Sequence, residues 1–250
     1  MPEPKPTLTL LRELTDRHVL DALITAPRLT RAELAERTGI SKPTIGESVR
    51  RLVAAGLLVD TGARTSGRGA VGSYFALAAD LGAALAVSIA PDGIVGETVD
   101  VRGTVTRRVT ARVRRPARPG PVTASLRRLA HRLQADAPGP VRLAVVSAAD
   151  PVDRRTGRLV ELPDAPFLLG PLAPADALAE VVRGPVVVDN DVNWAARAER
   201  QHSGAERLDD FGYLYLGEGL GAAVVSDGDV RRGHRGLAGE IAHVVTTGAD

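Results

Sequence analysis

Residues 29–58 constrain this chain most, because they hold two short helices joined by a tight, capped turn. Thr30 precedes an apolar-patterned run and Glu33 follows three residues later. In that arrangement each side chain can satisfy the other's free backbone N–H. The first helix is expected over 31–37, with Leu34 and Ala35 facing inward. Thr38-Gly39-Ile40 ends it, and Gly39 suits a left-handed position. Ser41 caps the second helix, and Pro43 is tolerated in its first turn, where its missing N–H has no intrahelical partner to lose. Ile45, Val49, Leu52 and Val53 form one apolar stripe. The other face is assigned Lys42, Thr44, Glu47, Ser48, Arg50 and Arg51. A short second helix with a donor-rich outer face suits the major groove of double-stranded DNA. These residues, with Ser41, are the candidate DNA contacts.

The flanks support a winged module. Residues 18–24 supply a first helix with Val19, Leu20, Leu23 and Ile24 for a small core. Residues 57–59, a Gly-rich loop over 60–72 and residues 73–77 read as strand, loop and strand. Arg64 and Arg68 stand among glycines at the tip of that wing, placed for a minor groove or phosphates. The rival reading is a three-helix packing module with no role on DNA. The capped turn, the polar face and the Arg-bearing wing together favour DNA.

Charge is unevenly distributed. The whole chain carries +2, but residues 1–120 hold 18 Lys and Arg against 12 Asp and Glu, and residues 121–250 hold 14 against 18. A basic front and an acidic rear suit a DNA-facing module attached to something else. There is no apolar run of membrane-spanning length and no signal-peptide pattern at the N-terminus, so a cytoplasmic location and no membrane partner are expected. Cysteine is absent, which excludes a disulfide framework and a thiolate metal site within these residues.

Residues 1–7 are expected to be a disordered tail, 8–78 the winged helix-turn-helix, and 79–250 a second domain. In that domain 84–89 reads as a buried strand, 94–101 and 104–113 as two more, 122–135 as a helix, 141–146 as a strand, 172–182 as a helix, 185–189 as a strand and 192–201 as a helix. Strands over 211–216 and 222–225 then open a second sheet. The order βββαβαβα followed by new strands fits a three-layer α/β domain and the start of another.

Two short segments carry the chemistry of this half. In Val188-Asp189-Asn190-Asp191 a strand ends where a helix begins, and strand ends in α/β sheets are where ligands bind. Asn offers donor and acceptor and Asp two acceptors, a pairing suited to adjacent sugar hydroxyls. An Asx turn capping the next helix is the plainer alternative. In Gly236-Leu237-Ala238-Gly239-Glu240-Ile241-Ala242-His243, Glu240 and His243 lie three apart and share a face if the turn is helical. A surface Glu and a satisfied His are the plainer alternatives there.

Taken in order, these segments resemble the ROK family (repressors, open reading frames, sugar kinases), and within it the xylose- and N-acetylglucosamine-type repressors. The resemblance rests on Ser41-Lys42-Pro43-Thr44, Gly67-Arg68-Gly69, Asp150-Pro151-Val152-Asp153 with Thr156-Gly157, Asn190-Asp191 with Asn193, Leu216-Gly217-Glu218-Gly219-Leu220-Gly221, and Gly236 to His243. It implies an α+β multidomain chain: a winged helix-turn-helix followed by an actin-like (ribonuclease H-like) α/β domain of the sugar-kinase type. It also implies that Asn190, Asp191, Glu240 and His243 bind a monosaccharide, with Asp191 the base if the chain is a kinase.

Departures from the family pattern separate its subclasses. Where family kinases cradle ATP phosphates with an Asp and a Gly-rich turn, this chain reads Ser88-Ile89-Ala90-Pro91-Asp92-Gly93, and Pro91 removes a backbone donor. Ala149-Asp150 replaces the family's Pro-Gly. The cysteines that hold the family's zinc are absent, so no cofactor is expected, and the second lobe reads as incomplete in a C-terminally truncated member. The expectation is a sugar-responsive repressor rather than an enzyme, with operator DNA, a monosaccharide or sugar phosphate and a second or further copy of itself as partners. A sugar kinase with a helix-turn-helix appendage, or a DNA-binding fragment without a working sensor, are the alternatives.

Overall fold

The computed structural model describes residues 7–66, 71–161, 167–204, 208–217 and 219–244. The chain forms two compact units, one of Met1–Gly82 with Val101–Gly103 and one of Ala83–Asp100 with Thr104–Asp250.

The first unit contains α1 (Leu8–Ile24), β1 (Leu29–Thr30), α2 (Arg31–Thr38), α3 (Lys42–Ala54), β2 (Leu58–Arg64) and β3 (Ser73–Leu77). The local signals act as expected from the sequence. Thr30 and Glu33 form the reciprocal cap at 3.2 and 2.7 Å, Gly39 closes α2 at φ 71°, and the Ser41 side chain accepts the Thr44 N–H. Leu23, Leu34, Ile45, Val49, Leu58 and Phe75 close a small core between the helices and the sheet. Two features escaped the pattern reading. The first helix starts at Leu8, capped by Thr7, well before residue 18. Its early leucines (Leu8, Leu10, Leu11 and Leu14) are exposed and give no inward stripe to read. Leu29–Thr30 also adds a short strand, pairing with Phe75 and Tyr74 in the sheet order β1-β3-β2.

The second unit is built on a five-stranded sheet. Its strands are β4 (Ala83–Ala90), β5 (Gly93–Val99), β6 (Val105–Ala111), β7 (Val141–Ala148) and β8 (Val186–Asn190), in the order β6-β5-β4-β7-β8. The first three strands pair antiparallel and β4, β7 and β8 parallel. α4 (Pro119–Ala135) buries Leu126, Leu129, Ala130 and Leu133 against β5 and β6. Each such leucine contributes roughly 1.5–3 kcal/mol of burial. The helix expected over 172–182 is only α5 (Pro174–Leu178). Pro174 fixes its first turn, and after Leu178 the chain tightens so that both Val181 and Val182 donate to the Leu178 carbonyl.

α6 (Asp191–His202) follows β8 and packs on a second sheet of β9 (Phe211–Leu216), β10 (Leu220–Ser226) and β11 (Asp229–Val230), ordered β11-β10-β9. Val192, Ala196, Ala223, Val225 and Val230 form its small core. On the other side of this sheet Leu214, Leu216 and Val224 are exposed. No helix among the described residues is long and apolar enough to cross a membrane.

Candidate functional site

In the first unit α3 turns Lys42, Thr44, Glu47 and Arg50 to solvent. Glu47 and Arg50 pair with each other along the helix, and Thr44 shares a 2.8 Å hydroxyl contact with the capping Ser41. Ser48 does not belong to this face. It is fully buried and bonds the Asp16 carboxylate of α1. Its place in the helix explains this: three residues after Ile45 and four before Leu52, it lies on the apolar stripe despite its hydroxyl. Arg51 is half-buried and pairs with the same Asp16 at 2.6 Å, so its charge is directed toward α1. Arg64 ends β2 and pairs back to Asp60 at 2.9 Å. Arg68 lies outside the described residues.

The second unit holds a cleft of about 760 Å³ over the carboxyl ends of its parallel strands. The register of β7 and β8 places Ala148 beside Asn190, so the chain leaving each strand delivers one carboxylate to the same rim: Asp150 after β7 and Asp191 after β8. The remaining wall comes from the Pro91–Asp92 turn between β4 and β5, from Arg115 and Pro116, from Tyr215 and Gly219–Ala222, and from Gly239 and Glu240.

Asn190 lines this cleft, yet much of its side chain is committed to the fold. Its carbonyl oxygen accepts the Val192 N–H at 2.9 Å, and its amide donates to the Ala148 and Ala149 carbonyls. It is the helix cap that the plainer reading anticipated, and it ties α6 to the end of β7. Asp191 opens α6 and accepts the Val192 N–H at 2.8 Å, a favourable place for an anion. Burial still outweighs that and pushes its pKa above the ordinary carboxylate value.

Asp150, which belongs to the Asp150–Asp153 loop and departs there from the family's Pro-Gly, has a larger part in the structure. It is 6% exposed. Burial, reinforced by the nearby charges of Glu240 and Asp191, pushes its pKa up to about 6 against the pull of N–H groups from Phe167 and Leu168.

Glu240 reaches the cleft on a segment locked by two close approaches. A side chain on Gly236, which sits at φ +87°, would meet the Val152 carbonyl, and one on Gly239 would meet the Ala222 carbonyl. Glu240 precedes a 3-10 turn, Ile241–His243, rather than sitting inside an α-helix. The His243 side chain lies outside the described residues.

Behind the rim, sequence reasoning missed a buried ion network. Asp189 accepts from Arg197 at 2.7 Å and from Asn193 at 2.9 Å, and lies 3.3 Å from Arg232. This joins β8, α6 and the start of the Glu240 segment. Among the described residues no group of His, Cys, Asp or Glu is arranged to hold a metal ion.

The model of the ROK family matches residues 79–249, and a model described as winged helix-turn-helix DNA-binding matches residues 12–59. The xylose repressor of Bacillus subtilis is 22% identical over 241 residues, covering 94% of this chain and 61% of its own length. That of Caldicellulosiruptor bescii is 23% identical, covering 94% and 59%. The chain thus spans about three-fifths of the length of these relatives. A glucokinase of Halalkalibacterium halodurans is 38% identical over 69 residues, 28% of this chain and 21% of the enzyme. Among solved structures, a ROK family transcriptional regulator described as a homologue of the E. coli MLC protein superposes with a TM-score of 0.63 at 20% identity, covering 94% of this chain and 59% of the regulator. This likeness shows the fold: a winged helix-turn-helix followed by an actin-like α/β domain.

Proposed function

The chain belongs to the ROK family, and from that premise we propose that it is a sugar-responsive transcriptional regulator, a repressor, that reads operator DNA with α3 and binds a monosaccharide in the cleft of its second unit. The observation that carries this reading is that the likeness to the xylose repressors runs through both units, helix-turn-helix and cleft alike. Asp191 and Glu240 accept hydrogen bonds from sugar hydroxyls, with Asn190 holding the rim in place. His243 joins them by resemblance. A homodimer presents two recognition helices to half-sites on one DNA face.

The kinase reading draws support from the short, closer match to a glucokinase. The turn Pro91-Asp92-Gly93 weighs against it. Proline supplies no N–H there, and Asp92 brings a carboxylate into the cleft where an approaching phosphate would be repelled. The regulator works without phosphoryl transfer, and a coupled assay with ATP and a hexose panel should register none.

Two variants test the assignment by fluorescence anisotropy, using the DNA upstream of the chain's own gene and a random duplex. Arg50→Ala is expected to weaken the specific complex about 10-fold or more and to relax selectivity at one base pair, since a bidentate base contact is worth about 1–3 kcal/mol. An equal loss on the random duplex would instead make Arg50 a phosphate contact. Asp191→Ala is expected to keep operator binding and lose release by sugar. A variant that still releases normally removes Asp191 from the sugar site.

A further inference from the structure

We infer that the cleft selects a sugar bearing a protonated amine over the matching neutral hexose, and disfavours a phosphorylated one, with Asp150 as the specificity-determining residue. This rests on the sugar-cleft reading above and narrows it to a ligand class.

The argument begins with the charges that face the cleft. Asp92 comes from the β4–β5 turn, Asp150 from the end of β7, Asp191 from the start of α6 and Glu240 from the glycine-locked segment. Among the described residues that line the cleft, these four carboxylates face one guanidinium, Arg115, which also donates to the Pro91 carbonyl at 3.2 Å. Tyr215 is the other titratable neighbour. A neutral hexose offers hydroxyl donors to one or two carboxylates and adds no positive charge. An ammonium offers three donors together with a charge, so it can satisfy Asp150 and offset the repulsion among Asp150, Asp191 and Glu240 at once. A phosphate adds up to two negative charges to a rim already dominated by carboxylates.

Asp150 is the residue that gives the cleft this preference. Asp191 sits at a helix N-terminus, where the partial positive charge of the helix already favours it. Asp150 is buried at the base of the rim with two carboxylates acting against it, and it gains most from a cation.

The test is calorimetric titration of the full chain with three matched pairs: glucose and glucosamine, mannose and mannosamine, galactose and galactosamine. Glucose 6-phosphate serves as the anionic probe. At pH 7 the amine and Asp150 are both largely charged, and one amino sugar is expected to bind at least about 10-fold tighter than its neutral partner. At pH 5, where Asp150 holds its proton, the ratio should shrink. In Asp150→Asn the ratio should fall toward one and depend less on pH between 5 and 7, while a cooperative unfolding transition read through Trp194 reports an intact second unit. If every hexose that binds does so as tightly as its amino partner at pH 7, the inference is overturned and the sugar cleft is left standing. Tighter binding of the phosphate does the same. A chain that binds none of these sugars overturns both readings.

Discussion

Replacing Asp189 with Asn should lower the stability of the second unit by about 2 kcal/mol or more, the largest loss expected from any single polar substitution considered. The carboxylate is 3% exposed and faces Arg197 and Arg232. Removing one partner of a fully buried ion pair costs about 3–5 kcal/mol, because the other charge stays behind without compensation. Here the two guanidinium groups are 33% and 24% exposed, so water recovers part of that cost. The amide of the variant can still accept from Asn193, but it carries no charge for either arginine. Trp194 makes the measurement direct. It is the single tryptophan of the chain, lies on α6, donates to the Val146 carbonyl at 3.0 Å and is stacked by Arg197. Denaturant unfolding followed by its fluorescence therefore reports the second unit. A midpoint and slope unchanged from wild type would mean that the network adds nothing net and that Asp189 is better explained as a determinant of geometry.

The same network shows where sequence reasoning stops. Local signals were legible because their partners are a few residues apart: the Thr30–Glu33 cap, the Ser41 cap and the left-handed Gly39 were all readable from spacing. The parallel strands β4, β7 and β8 were legible because their apolar residues run nearly unbroken, and β6 because it is rich in β-branched residues. The hydroxyl of Ser48 suggests an outward residue, yet 45, 48 and 52 share a face and helical position prevails over polarity. The front of α1 was missed because its leucines point to solvent. The Asp189 network and the part played by Asp150 were illegible for a different reason. Arg232 and Glu240 meet β8 and Asp150 only through pairing of strands far apart in the chain and through packing of a glycine-rich segment, and neither leaves a period in the sequence.

Asp150→Asn should act in the opposite direction and stabilise the second unit at neutral pH. The sign follows from the direction of the shift. The pKa of Asp150 rises from 3.8 to about 6 on folding. Below the unfolded value both states hold the proton, and the folded chain bears no penalty. As pH climbs toward the folded value, the unfolded chain has released its proton while the folded chain retains it. Stability therefore declines across this window and levels off above it. A shift of about two pKa units corresponds to roughly 3 kcal/mol, so at pH 7.5 the asparagine variant should be more stable by on the order of 2–3 kcal/mol, and at pH 4 the two should nearly coincide. Asp191 is shifted the same way and stays in both proteins, so its contribution largely cancels in the difference. Urea unfolding of both proteins at the two pH values, read through Trp194, checks this. A variant less stable than wild type at pH 7.5 would mean that the N–H groups of Phe167 and Leu168 need a full carboxylate and outweigh its burial. With the predicted sign, Asp150 is a residue held ionised at a cost to the fold, and a cation entering the cleft removes that cost. Ligand binding and stability then share one origin: saturating amino sugar should raise the unfolding midpoint of wild type more than that of the variant.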